Sequence, residues 1–92
     1  MARSALSPDE ARARLATLSG WEIRDGALRK RYTLDSFAAA LAFVNRVGAL
    51  AEKADHHPDI LIEYRNVTLT LTTHDAGGLT ASDFALAAQI DA

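Results

Sequence analysis

"PDILIEYRNVTLTLTTH", residues 58–74, decides how the whole chain is read. Ile60, Ile62 and Tyr64 fall on one face of a strand, and Val67, Leu69 and Leu71 alternate with Thr68, Thr70 and Thr72. This period of two is the mark of a half-buried strand, because successive side chains point to opposite sides. A two-residue turn at Arg65-Asn66 makes the pair a hairpin with Tyr64 facing Val67, so that six apolar side chains line one face. The same register pairs Ile60 with Leu71 and sets His57 roughly opposite His74.

Upstream, residues 35–55 read as the longest helix. Phe37, Leu41, Val44, Val47 and Ala51 recur at spacings of three and four, and the many alanines favour helix. Pro58 disfavours helical geometry at His57, so the helix ends near Asp55 or His56. Before it, "WEIRDGALRKRYTL" (21–34) alternates around Asp25-Gly26, a second hairpin with Trp21 and Ile23 on one side and Leu28 and Tyr32 in the return strand. The first helix opens at Ser7, whose capping box is completed by Glu10, and presents Leu15 and Leu18 before Gly20 stops it. After the hairpin, "DAGGLTASD" (75–83) leads through a second capping box, Thr80-x-x-Asp83, into a last helix with Phe84, Ala87, Ala88 and Ile90 inward. The order α-β-β-α-β-β-α, as two hairpins and three amphipathic helices, predicts an α+β fold. Its four-stranded antiparallel sheet carries the helices on one face. Such a sheet leaves edges exposed, and pairing through an edge into a homo-oligomer is the expected remedy.

The chain's 92 residues suit a single domain spanning 1–92, and 49% hydrophobic residues suffice for a core. Ten Lys+Arg against twelve Asp+Glu leave a net charge of −2, with no basic footprint for nucleic acid. The trio Arg29-Lys30-Arg31 reads as a solvated strand edge. There are no cysteines, so disulfide and thiolate chemistry are excluded, in keeping with a reducing compartment. "MARSALSPDE" turns acidic at once, so no signal peptide is expected, and no run approaches the roughly 20 apolar residues of a membrane span. A cytoplasmic location is the expectation.

All three histidines, His56, His57 and His74, fall at element ends that the hairpin register brings to one rim of the sheet. Imidazole titrates near neutrality, so a cluster of rings can donate and accept protons within one turnover. Glu52, one helical turn before His56, is placed to hydrogen-bond it and set its tautomer; Asp55 and Asp83 are further carboxylates. A histidine at a helix C-terminus is also favoured by the macrodipole alone, and Asp83 also serves as capping-box acid. Trp21 reads as core or interface before it reads as site. A zinc centre is the lesser reading, since adjacent His56 and His57 rarely address one ion and no H-x-x-x-H occurs. Phosphate-binding glycine loops and a serine-nucleophile elbow are absent from the sequence.

At these residues the chain resembles the pterin-4a-carbinolamine dehydratases. The family's spaced motif is filled by Glu52, His56-His57-Pro58, Tyr64, His74 and Asp83, and "GW" at 20–21, "FVNRV" at 43–47 and "GLT" at 78–80 are similar too. The resemblance implies dehydration of a 4a-hydroxytetrahydropterin to quinonoid dihydropterin, recycling the cofactor of aromatic amino acid hydroxylases. It implies that pterin is the substrate, without a further cofactor or metal, and that the protein is a dimer or tetramer. By resemblance His56, His57 and His74 are catalytic, Glu52 and Asp83 support them, and Pro58, Thr73 and more weakly Trp21 contact substrate. Some members carry arginine before the aspartate, where this chain has Ser82. Animal members also serve as dimerisation cofactors of a transcription factor, so a non-catalytic interaction protein or pterin-binding partner is the alternative implied.

Overall fold

The computed structural model describes residues 4–92. Its elements are α1 (Pro8–Leu15), β1 (Glu22–Arg24), β2 (Ala27–Thr33), α2 (Phe37–Ala54), β3 (Asp59–Glu63), β4 (Asn66–Leu71), a 3-10 turn (His74–Ala76) and α3 (Ala81–Asp91). The strands form one antiparallel sheet in the order β1-β2-β4-β3, the expected α+β arrangement.

Capping follows the sequence closely. Glu10 N–H donates to Ser7 Oγ and Ser7 N–H donates to Glu10 Oε1, closing the box of α1. That helix ends at Leu15, earlier than Gly20, and a run of turns carries the chain to Gly20 at φ 81°. The β1–β2 turn places Asp25 and Gly26 both at positive φ, as a two-residue hairpin requires.

The second hairpin departs from the expected register by two residues. Glu63 pairs with Asn66, Ile62 with Val67 and Ile60 with Leu69, so Tyr64-Arg65 forms the turn. Asn66 is held in β4 because it also pairs with Thr33, whose hydroxyl hydrogen-bonds Asn66 Oδ1 at 2.7 Å. Tyr64 therefore takes the positive φ of 56° and stands 68% exposed, off the apolar face. A slip of two preserves parity, so Ile60 and Ile62 still share a face with Leu69 and Val67.

Leu28, Val67, Leu69 and Leu71 form the sheet's side of the core, each fully buried and worth roughly 2 kcal/mol of apolar transfer. Against them lie Ala40, Val47 and Ala51 of α2, and Phe84, Leu86, Ala87 and Ile90 of α3. The α3 stripe runs 83-86-87-90, so Leu86 is inward where Ala88 was expected, and Ala88 is exposed. Phe37 and Leu41 of α2 face outward at 49% and 41% exposure, leaving the helix a second apolar edge.

Trp21 is buried in this core, and its indole N–H donates to Asp91 Oδ2 at 2.7 Å. Tyr32 Oη–H donates to Asp91 Oδ1 at 2.5 Å, and Lys30 Nζ donates to Asp91 Oδ2 at 3.0 Å. Arg46 adds a bond to the Ile90 carbonyl at 2.7 Å, which satisfies the negative end of α3. The C-terminal turn of α3 is thereby fastened to β2 and α2.

Candidate active site

The site begins with the way α2 stops. Asp55 adopts left-handed backbone (φ 50°, ψ 44°), its N–H returns to the Glu52 carbonyl, and His56 N–H returns to the Ala51 carbonyl. This reversal turns one histidine under the helix and leaves the next outside. Pro58 then holds the chain extended into β3.

His56 is buried, with Nε2 2.5 Å from Asp83 Oδ1. Asp83 has no exposed surface, and its Oδ2 accepts from the Thr73 hydroxyl at 2.8 Å and from Thr80 N–H at 2.9 Å. A carboxylate removed from water needs this many donors, and here three address its two oxygens. Thr73 spends its one hydroxyl proton on Asp83, so in the 2.8 Å contact between the two threonine hydroxyls Thr80 donates to Thr73. Ser82 N–H in turn donates to Thr80 Oγ1 at 3.3 Å. Asp83 thus caps α3, as its capping box foretold, and also holds the ring of His56.

The carboxylate only accepts, so this network assigns the proton of neutral His56 to Nε2. Nδ1 of His56 has no partner among the described residues, and no buried side-chain nitrogen or oxygen there lacks one. That nitrogen therefore keeps surface, and His56 lines the adjoining cavity.

Glu52 meets His57 rather than His56, the expected partner: its Oε2 lies 2.6 Å from His57 Nε2, with both side chains exposed. The helical i,i+4 relation that would have joined Glu52 to His56 ends at left-handed Asp55, which swings His56 inward to Asp83. His74 opens the 3-10 turn and is exposed; the loop behind it is closed by a two-way backbone bridge between Thr73 and Gly78. In the observed register His57 continues opposite Thr72, two residues from the expected His74.

The three histidines nevertheless surround one open cavity of about 440 Å³, together with Asp55, Thr72, Thr73 and Asp75. That volume lies in the range of small-ligand sites. A larger groove of about 580 Å³ lies between α1 and Leu79 and is mostly apolar, with no cluster of acid–base groups. Glu52 and Asp83 stand behind the rings they bind and do not line the cavity. Pro58 and Trp21 do not line it either, and Ser82 is confined to the first turn of α3. Sequence reasoning missed Thr72 and Asp75, whose signal was adjacency to His74, and saw Thr80 only as a cap. Among the described residues, no group of three or more His, Cys, Asp or Glu is arranged to hold a metal ion.

Comparison with known proteins shows the family of this chain. The family described as "Pterin 4 alpha carbinolamine dehydratase" matches residues 4–92, and the chain belongs to that family. Proteins from Roseiflexus sp. (strain RS-1) and Chloroflexus aurantiacus (strain ATCC 29366 / DSM 635 / J-10-fl) are 57% and 52% identical to it over 86 residues. Each alignment covers 94% of this chain and 92% of the relative, and both relatives bear the name "Putative pterin-4-alpha-carbinolamine dehydratase". A crystal structure described as a transcriptional coactivator/pterin dehydratase from Brucella melitensis superposes with a TM-score of 0.91 at 31% identity, covering 96% of both chains. A pterin dehydratase-like protein identified as a RuBisCO assembly factor in the α-carboxysome superposes with a TM-score of 0.68 at 32% identity, over 79% of this chain and 87% of that one.

Proposed function

We propose that this chain dehydrates 4a-hydroxytetrahydropterin to quinonoid dihydropterin by histidine acid–base catalysis. The observation that supports it most is the set of three imidazoles around one cavity, two of them hydrogen-bonded to carboxylates. The reaction removes water without change of redox state. The C4a–O bond breaks as a general acid protonates the hydroxyl, and the N5 proton passes to a base. Rings with different surroundings suit this division: His56 is buried against Asp83, while His57 and His74 are exposed. His56, His57 and His74 are the proton-handling groups in this reading, with Glu52 and Asp83 orienting the first two. The product re-enters the cofactor cycle of aromatic amino acid hydroxylases, in the cytoplasm.

The protein acts in this reading as a homo-oligomer. Leu61 and Ile60 on edge strand β3 are 52% and 36% exposed, a liability that pairing with a second copy removes. Light scattering at micromolar concentration is expected to give at least twice the mass of one chain.

A second reading, a non-catalytic interaction protein, draws on the exposed Phe37 and Leu41 of α2 and on the coactivator and assembly-factor descriptions of the two structures superposed above. Stopped-flow decay of hydroxylase-generated 4a-hydroxytetrahydropterin separates the two. Wild type is expected to accelerate decay, and His57→Ala to lose more than about tenfold of that acceleration. Decay at the same rate with wild type, variant and no protein would leave the interaction reading standing.

A further inference from the structure

We infer that Thr73 is a positioning residue, whose hydroxyl, backed by that of Thr80, fixes the Asp83 carboxylate and so locks His56 with Nδ1 toward the cavity. Its resemblance-based role was substrate contact. Thr73 is only 2% exposed, however, and its hydroxyl bonds inside the protein, donating to Asp83 Oδ2 and accepting from Thr80. No hydroxyl proton remains for a ligand.

The geometry gives this hydroxyl a specific task. Asp83 offers two oxygens, and His56 needs one of them at 2.5 Å. Without Thr73, Thr80 N–H at the helix start would be the one donor left on Oδ2, and the carboxylate would be held less firmly. Thr73 approaches the same oxygen from the segment that follows β4, so two donors from separate parts of the chain fix its plane. With Oδ1 so presented, Nε2 of neutral His56 carries the proton and Nδ1 is the lone-pair nitrogen facing the site. Without Thr73 the carboxylate plane loosens, and His56 divides its population between tautomers or ring orientations. A ring in the wrong tautomer is no use to a proton transfer, whether its task is to give or to take.

The consequence for turnover rests on the proposed dehydration; the consequence for the ring does not. The test therefore uses two readouts on ¹⁵N-histidine-labelled protein. Thr73→Val keeps shape and β-branching while removing the donor, and Thr73→Ser restores it. The expected result for Thr73→Val is a kcat lowered about tenfold, the size of one lost hydrogen bond to a charged group. KM should stay within about twofold, since the hydroxyl proton is spent on Asp83. The ring nitrogens of His56, assigned with His56→Gln, should change from an Nε2–H tautomer to a mixture. Thr73→Ser should recover both kcat and the ring signals. Unchanged His56 signals in Thr73→Val would overturn the inference, as would a Ser variant impaired equally and in step with its melting temperature. If Thr73→Val fails to fold, Thr80→Ala, which removes the outer hydroxyl, must move the His56 signals the same way by less. Wild type without dehydratase activity would remove the functional reading, and the ring signals would still decide the role of Thr73.

Discussion

His56 and Asp83 stand 27 residues apart in the chain and 2.5 Å apart in space, and the same carboxylate closes the first turn of α3 through Thr80 N–H. One side chain serves the helix and the ring at once. Asp83→Asn keeps an oxygen for the cap and removes the charge. It is expected to lower turnover by about 100-fold or more, as when the carboxylate behind a catalytic histidine becomes an amide. Stability should fall by ~1–3 kcal/mol, the usual cost of a disturbed buried hydrogen-bond set. Turnover beside urea denaturation checks both, and a variant with full activity would deny Asp83 its ring-orienting role.

The Glu52–His57 contact is as short, at 2.6 Å, but both partners are exposed. Solvent screens such a pair, so Glu52→Gln is expected to change stability by less than ~1 kcal/mol. Its effect should appear in turnover, through the freed orientation of His57. Thermal melts of wild type and variant test the first statement, and a loss of several kcal/mol would contradict it.

Asp91 predicts an acid limb of stability far from the histidines. Burial works against its charge, yet hydrogen bonds from Tyr32, Trp21 and Lys30 outweigh it and hold the carboxyl below its ordinary 3.8. A carboxyl with a depressed folded-state value contributes stability that is present above the unfolded value and lost as pH falls through the folded one. Asp91→Asn should therefore be less stable than wild type near neutrality, with the gap shrinking below about pH 4. Urea melts on either side of that pH decide it; an equal gap in both would refute the assignment.

Among the described residues, Asp55 is the one non-glycine residue that ends a helix in left-handed backbone, at φ 50°. Asp55→Gly is expected to stabilise the fold by up to ~1 kcal/mol by relieving that conformation. Because Asp55 also lines the cavity, the melting temperature and turnover of this variant should be read separately. A lower melting temperature would show that the Asp55 side chain contributes more than its backbone costs.

Much of this arrangement was legible in the residues. The alternation of Val67, Leu69 and Leu71 with threonines, the Asp25-Gly26 turn and the two capping boxes each carry local physics that the fold left intact. What escaped was set by partners distant in sequence. Nothing local shows that Thr33 would claim Asn66 and push the turn back to Tyr64-Arg65. The helical spacing of Glu52 and His56 suggested a pair, but a left-handed residue between them broke the spacing, and Asp83 took the ring. The convergence of the histidines survived the register error because a slip of two keeps both strand ends at the same rim.

Sharing Asp83 between cap and ring also shapes how this chain can change over generations. The side chains of His56 and His57 make no bond to the start of α3 other than that of His56 to Asp83, whereas Asp83 and Thr80 cap that helix directly. A lineage that abandons the chemistry is thus expected to shed its imidazoles first and retain the acid and threonine. A descendant with the aspartate but no paired histidines would be a scaffold in new employment, still folded by the remnant of its former site.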